Sequence, residues 1–281
     1  MFISRFAPSP TGFLHLGHAY SALLTYDLVK KNSGNLILRI EDIDITRCNF
    51  DFENQIYEDL KWLEIKWDEV PLRQSERLSI YNYNLRILEQ KNLVYGCNCS
   101  RSDIKKALSA PSNLFNNSKI HVYPGTCRDK KLPINKHNVR LNLTKSKNYL
   151  KNQHLNFFEQ GNGPNGEKGY QYFSIDWIMK NHGDFIIARK DIKTSYHLSV
   201  TVDDASQNVT HISRGNDLFY VTPIQILLQK LLNLSTPLYV HHNLIKDENE
   251  RKLAKTKGAE SLLNLKKSGK SLKQILTTLG L

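Results

Sequence analysis

Two short strings in this 281-residue chain carry residue types suited to phosphate chemistry. His15-Leu16-Gly17-His18 sets two imidazoles around a glycine where an opening strand gives way to a helical pattern. A glycine there lets backbone approach a nucleotide closely, and a helix N-terminus favours anions through its free N–H groups and dipole. Two imidazole donors at that place can stabilise charge building on an α-phosphoryl oxygen. Far along the chain, Lys252-Leu253-Ala254-Lys255-Thr256 reads as a loop bearing two ammonium groups. Flexible ammonium groups can follow β- and γ-phosphates as the bond to pyrophosphate lengthens, which stabilises mainly the transition state. A third cluster is Cys97, Cys99 and Cys127, from which Cys48 stands apart. That is a poor disulfide framework and a better metal site, which suits a reducing compartment. Zinc prefers thiolate and imidazole, so His121 competes with Tyr123 for the fourth position. Cys48 is expected to pack in a core.

The elements that must position these groups follow from periodicity. Phe2 to Ala7 reads as a short buried strand, and Pro8-Ser9-Pro10-Thr11-Gly12 as a turn. Apolar residues recur at helical spacing from His18 to Lys31, Gly34 stops that helix, and Leu36 to Ile40 reads as an interior strand. Strand, turn, helix and strand make a βαβ unit with parallel strands and a right-handed crossover. Residues 50–65 and 75–91 have helical periodicity, with Pro71 between them. From about 96 to 184 the chain changes character, with cysteines, an Asn-rich stretch at 113–117 and a Gly-rich loop at 161–169. That stretch is expected to be an insertion between two halves of a core sheet. Phe185 to Ala188 is then expected to resume as a strand, Tyr196 to Val202 to lead into a strand or helix, and Val209 to Ser213 to form a further strand. Thr222-Pro223 opens a helix through Leu232, with proline where its missing N–H does no harm.

Charge is uneven along the chain. The net charge is +12, yet residues 1–95 hold 11 basic and 13 acidic side chains, while residues 101–151 hold 12 basic and 2 acidic. A polyanion such as RNA is the expected partner of that basic block, because contacts with several phosphates release counterions. The 40% hydrophobic and 23% charged composition is that of an ordinary globular protein. No apolar run approaches the roughly 20 residues of a membrane span, and the N-terminus lacks the layout of a secretory signal. A cytoplasmic location with no membrane contact is expected.

The paired strings resemble the HIGH and KMSKS motifs of class I aminoacyl-tRNA synthetases. Arg5-Phe6-Ala7-Pro8-Ser9-Pro10-Thr11-Gly12-Phe13-Leu14-His15-Leu16-Gly17-His18 strongly resembles the opening of glutamyl-tRNA synthetases and their relatives. Leu38-Arg39-Ile40-Glu41-Asp42-Ile43-Asp44, Tyr196-His197, Val202-Asp203-Asp204 and Ser213-Arg214-Gly215-Asn216-Asp217-Leu218 continue the resemblance in order. It implies an α/β fold: a Rossmann-type parallel-sheet catalytic domain with an inserted zinc-binding, acceptor-type subdomain and a short C-terminal helical tail. The expected division is 1–95 and 185–240 for the catalytic halves, 96–184 for the basic insertion, and 241–281 for the lysine loop and tail. The resemblance further implies glutamate binding by Arg5, Phe6, Ala7, Pro8, Ser9, Glu41, Tyr196 and Arg214. ATP binding is implied for His15, Gly17, His18 and Lys255, and catalysis for His15, His18, Lys252 and Lys255. Charge complementarity agrees, since glutamate offers two carboxylates to Arg5 and Arg214 and one ammonium to Glu41.

Within the family, Cys97-Asn98-Cys99 with Tyr123-Pro124-Gly125-Thr126-Cys127 resembles the zinc pattern of the truncated glutamyl-queuosine tRNA(Asp) synthetases. That branch implies Cys97, Cys99, Tyr123 and Cys127 as ligands of one structural Zn²⁺, Mg²⁺ with ATP, and a monomer. Its reaction activates L-glutamate with ATP and transfers it to the queuosine base of tRNA(Asp). The chain stops about 25 residues after the lysine loop, where glutamyl-tRNA synthetases continue into an anticodon-binding region, and this too favours the truncated branch. His18 departs from it, since many truncated members carry serine there, and so does Thr194-Ser195-Tyr196-His197. The alternatives are a minimal glutamyl-tRNA synthetase charging tRNA(Glu) and a synthetase-derived RNA-binding protein without catalysis. Retention of His15, His18, Glu41, Arg214 and Lys255 speaks against the second.

Overall fold

A computed structural model describes residues 1–108, 122–151, 153–245 and 260–281. The Asn-rich stretch at 113–117, His121, Lys252 and Lys255 lie outside the described residues. The expected βαβ unit is present as β1 (Ile3–Phe6), α1 (Leu16–Lys31) and β2 (Asn35–Ile40), with β1 and β2 parallel. Gly34 closes the turn from α1 into β2, where an added Cβ would meet the Phe2 carbonyl oxygen at 2.4 Å. Next come α2 (Phe50–Trp62), the two-residue strand β3 (Leu72–Arg73) parallel to β2, and α3 (Leu78–Gln90).

The following stretch contains β4 (Val94–Cys97), α4 (Arg101–Leu108), β5 (Asn138–Leu141), α5 (Leu143–Tyr149), β6 (Leu155–Glu159), β7 (Gly169–Phe173) and α6 (Ile175–Asn181). After it run β8 (Ile186–Ala188), α7 (Tyr196–Ser206), β9 (His211–Gly215), α8 (Thr222–Leu232), β10 (Leu238–His242), α9 (Leu262–Lys267) and α10 (Leu272–Leu279). The helix expected from Thr222 to Leu232 keeps both its ends, with proline in its first turn and Asn233 in the left-handed conformation as its C-cap. Tyr196 to Val202 is helical, because Ser195 caps it by accepting the Leu198 N–H.

Two strand assignments differ from expectation. Ile186–Ala188 is the expected strand, but it lies outside the parallel sheet of the expected catalytic halves. It pairs antiparallel with β5, which pairs antiparallel with β4, and Ile187 and Ala188 bury beside Val139 and Leu141. Conversely β6 and β7, from within the presumed insertion, extend the parallel sheet: β9, β10 and β6 are mutually parallel, and β7 is antiparallel at the edge. Short apolar strands of this kind carry no local mark of their partner.

The β1–β2–β3 sheet meets the β9–β10–β6–β7 sheet where Thr210 N–H donates to the Ile3 carbonyl at 2.9 Å and Ile3 N–H to Thr210 Oγ1 at 2.9 Å. Phe2 stacks on His211 at the same junction, with ring centroids 3.9 Å apart. The chain thus winds outward from β1 in one direction and from β9 in the other. Ligands of open α/β sheets bind beyond the carboxyl ends of strands at such a reversal. Apolar cores lie on either side of this junction, one around α1, α2 and β2 and the other around α7, α8 and β10.

The Val202-Asp203-Asp204 string lies on α7 with both carboxylates buried. Asp204 accepts Arg5 Nε at 3.0 Å and Arg39 Nη2 at 2.7 Å, so it ties the helix to β1 and β2. Asp203 accepts from Gln74, Arg77 and Tyr81 at 2.7 to 2.9 Å, fixing α3 and the turn before it to α7. Buried carboxylates persist only when paired in this way. Among the described residues no helix is long and apolar enough to cross a membrane.

Candidate active site

The carboxyl ends of β1, β2, β9 and β10 surround a cavity of about 410 Å³. Its wall includes Arg5, Phe6, Ala7 and Pro8 from the end of β1, Glu41 after β2, Tyr196 at the start of α7, and Arg214 on β9. His15, Gly17 and His18 line the same hollow from the start of α1. Of the residues expected to hold an amino acid only Ser9 is absent from the wall. The turn bends there, with the Ser9 carbonyl accepting the Thr11 N–H.

The histidine pair owes its geometry to the helix start. Nδ1 of His15 accepts the Gly17 N–H at 3.1 Å, while Nδ1 of His18 accepts the His15 N–H at 3.2 Å. This reciprocal cap satisfies backbone donors that a helix end leaves without partners. It also selects the tautomer: a ring accepting at Nδ1 carries its proton at Nε2. Both imidazoles are therefore Nε2–H donors. A Cβ at Gly17 would come within 3.0 Å of the His15 ring, which explains the glycine between them.

Arg5 is gripped by Asp204 through Nε, and among the described residues neither terminal nitrogen has a hydrogen-bond partner. Arg214 is held on three sides: Nε donates to His241 Nε2 at 3.2 Å, Nη1 to Gln225 Oε1 at 2.7 Å and Nη2 to Thr222 Oγ1 at 2.6 Å. Each terminal nitrogen keeps one N–H in hand, the complement of a single carboxylate. Glu41 lies 3.7 Å from Arg39 Nη2. Burial pushes its carboxyl up to about 7, against the pull of Arg39 and Arg5. Burial likewise raises Tyr196, keeping its hydroxyl a donor. The wall of the hollow therefore offers guanidinium donors, one carboxyl, one phenol and two imidazole donors.

The described chain leaves the cavity at Leu244 and Ile245, which line it, and returns at Ser261, which bridges to His15. Leu262 N–H then donates to the Leu14 carbonyl at 2.8 Å. The described chain on one side of the segment carrying Lys252 and Lys255 thus lines the cavity, and on the other side it bridges to His15.

A separate small core holds the cysteines. Sγ of Cys97, Cys99 and Cys127 lie within 4.8 Å of one another, a group that could hold a metal ion. Tyr123 Oη is 3.4 Å from Cys97 Sγ and 3.7 Å from Cys99 Sγ, and it accepts the Cys127 N–H at 2.8 Å. Arg140 stacks on the Tyr123 ring at 3.7 Å and donates from Nε to Cys97 Sγ at 3.2 Å. Burial pushes the Cys127 thiol up, but hydrogen bonds from Tyr123 and its neighbours bring it down to about 7. Cys48 corrects an expectation: it is half-buried in the loop after β2, with its N–H on the Asp44 carbonyl, and joins no apolar core.

Local spacing missed several groups that shape the site. Asp204 stands in a string to which spacing gives no role, and Glu159 and Gln225 stand in no motif. A carboxylate pair inside an otherwise apolar helix was the available signal for the first. The others act across the sheet and leave no local trace.

The description "tRNA synthetases class I (E and Q), catalytic domain" matches residues 2–281. A glutamyl-Q tRNA(Asp) synthetase of Rhodobacter capsulatus is 43% identical over 99% of this chain and 100% of its own length. A glutamate–tRNA ligase of Hydrogenobaculum sp. is 35% identical over 95% of this chain but 55% of its own length. The chain therefore spans the whole of the first relative and about half of the second. Among solved structures, a glutamate tRNA ligase from Elizabethkingia meningosepticum in complex with its amino acid superposes with a TM-score of 0.72 at 26% identity, covering 92% of this chain and 52% of that one.

Proposed function

The chain belongs to the class I tRNA synthetases of the E and Q type, and on that premise we propose that it activates L-glutamate with ATP and transfers it to the queuosine base of tRNA(Asp). The observation that carries this reading is the full-length likeness to a glutamyl-Q tRNA(Asp) synthetase. The cavity supplies a chemistry to match. Arg5 and Arg214 take the two carboxylates of glutamate, Glu41 its ammonium, and Tyr196 donates to an oxygen. His15 and His18 face the α-phosphate with Nε2–H. A glutamate carboxylate oxygen attacks the α-phosphorus as the bond to pyrophosphate breaks, giving glutamyl-adenylate. Catalysis is positioning and charge stabilisation by the imidazoles and by Lys252 and Lys255, with no covalent enzyme intermediate. A queuosine hydroxyl then attacks the activated carbonyl and AMP departs. That base lies in a single-stranded loop, where bases can be splayed out and read. Mg²⁺ bound with ATP would offset phosphate charge.

Zinc suits the cysteine cluster. Three soft thiolates and one harder phenolate oxygen make four donors, the number a structural zinc takes. Tetrahedral bond lengths imply S···S edges of about 3.8 Å and S···O edges of about 3.5 Å, and the observed Cys99–Cys127 and Cys97–Tyr123 separations are both 3.4 Å. The ion would serve as a staple between β4 and the segment at Tyr123–Cys127, away from the reacting atoms.

The deciding experiment measures labelled glutamate transfer to purified tRNA(Asp) with queuosine, tRNA(Asp) without it, and tRNA(Glu). Only the first is expected to accept glutamate. Charging of tRNA(Glu) would overturn the acceptor assignment in favour of a minimal glutamyl-tRNA synthetase, the reading that His18 favours.

Glu41 adds a pH prediction. Burial pushes its carboxyl up to about 7, whereas an ammonium ligand requires it ionised. Binding then releases a proton at low pH. The KM for glutamate is expected to fall as pH rises from 6 toward 7, approaching about tenfold per unit at the acid end, and to level off above 7. Glu41→Gln should raise KM and flatten that dependence. A wild-type KM independent of pH between 6 and 8 would dismiss Glu41 as the ammonium site.

A further inference from the structure

Arg214 is oriented by a buried chain of hydrogen bonds that crosses three neighbouring strands. On β6, Glu159 accepts the backbone N–H groups of Gly161 at 2.8 Å and His241 at 2.9 Å through Oε1. Its Oε2 lies 2.5 Å from His241 Nδ1, and both side chains are wholly shielded from solvent. On β10, His241 presents Nε2 to Arg214 Nε at 3.2 Å. The hydroxyl of Thr222, the other group near that nitrogen, donates to the Leu218 carbonyl. Burial lowers His241, which favours the neutral ring. A neutral imidazole carries one proton, and the carboxylate of Glu159 accepts it at Nδ1, so Nε2 is left as the acceptor that Arg214 needs. A carboxylate that fixes a histidine tautomer is a recurrent way to orient a working group.

The geometry points to Glu159 and His241 as positioning residues that hold the Arg214 guanidinium, through its Nε–H, in the one orientation that turns its remaining N–H groups toward an amino-acid carboxylate. This rests on the reading of the cavity as the glutamate site. It makes a demand specific to atoms. The position of Nε2 must hold an acceptor. The position of Nδ1 matters only because Glu159 acts through it.

Two substitutions separate that demand from mere packing. In His241→Gln the amide oxygen can stand near the place of Nε2 and accept from Arg214 without help from Glu159. In His241→Asn the amide lies near the place of Nδ1 and the acceptor is lost. Glu159→Gln would present an amide N–H₂ to Nδ1, drive the ring proton to Nε2 and set it against the Arg214 N–H. Glutamate-dependent ATP–pyrophosphate exchange by the full chain, with L-glutamate and ATP titrated in turn, reads the outcome. His241→Asn and Glu159→Gln are expected to raise the glutamate KM about tenfold, with the ATP KM moving far less. His241→Gln should raise it clearly less than His241→Asn, and His241→Gln should soften the defect when combined with Glu159→Gln. Should Glu159→Gln fail to fold, the Asn and Gln pair at 241 still decides. Equal glutamate KM values for that pair, or glutamate and ATP KM values rising together, would overturn the relay and leave the glutamate reading intact. A wild type without glutamate-dependent exchange overturns both.

Discussion

His18→Asn is expected to lower kcat for glutamate-dependent ATP–pyrophosphate exchange about 10²–10³-fold, and His15→Asn comparably, with the melting temperature nearly unchanged. The choice of asparagine follows from the cap geometry. Each histidine uses Nδ1 to accept a backbone N–H at the start of α1, and an asparagine oxygen can do the same. Loss of a helix cap costs about 1 kcal/mol, which asparagine should largely avoid. What it cannot supply is the Nε2–H donor toward the α-phosphate. The KM for glutamate should change little, because neither histidine is among the groups proposed to hold the amino acid, Arg5, Glu41, Tyr196 and Arg214. Glutamine makes the converse exchange: it can return an N–H near Nε2 but forfeits the cap. His18→Gln should therefore keep more activity than His18→Asn while melting lower. If His18→Asn retains full kcat, the paired imidazoles are capping groups and no more, and the motif loses its catalytic meaning.

That double duty shows why some of the molecule was legible from residue order and some was not. The histidine string, its glycine and its helix are neighbours in sequence, so spacing alone brought them together. The same holds for α8, where Thr222, Pro223 and Asn233 mark their own helix ends. The cysteine cluster was legible because its donor types are rare and close in sequence, although Tyr123 took its place from a resemblance and not from spacing. Strand partnership was opaque. β6 meets β10 through a single register pair, Tyr239 with Glu159, and β8 turns to β5 across 46 to 49 residues. Nothing in a three-residue apolar strand names a partner so distant. The support of the arginines was hidden for the same reason. Arg5 depends on Asp204, 199 residues away, and Arg214 on a histidine held by a carboxylate 82 residues from it. Spacing and resemblance point to the groups proposed to meet the substrate, but the groups that hold them belong to the sheet.

Removal of the zinc proposed for the cysteine cluster is expected to abolish transfer of glutamate to tRNA while sparing adenylate formation. The cysteine core, with Tyr95, Cys97, Tyr123 and Cys127, is distinct from the two cores that flank the cavity and shares no residue with the cavity wall. A structural zinc in small peptides contributes about 10–16 kcal/mol of apparent folding free energy, far more than this handful of side chains could regain by packing alone. Without the ion, the thiols would be held by Arg140, Tyr123 and one another, and the segment from Tyr123 to Cys127 would lose its tie to β4. Of the basic stretch at 101–151, Arg101 opens α4, Arg128 follows Cys127 and Arg140 stands on β5, so RNA contact should fail first. Cys127→Ser or prolonged chelation should thus leave ATP–pyrophosphate exchange close to wild type and bring transfer to tRNA below detection. Metal analysis of the purified protein should give about one zinc per chain. The ligands bind as thiolate and phenolate, so protons compete with the metal, and chelation should proceed more readily at pH 6 than at pH 8. A metal-free protein that still transfers glutamate to tRNA would show that the cysteines pack without an ion. Parallel loss of both half-reactions would instead mean that the staple supports the whole parallel sheet.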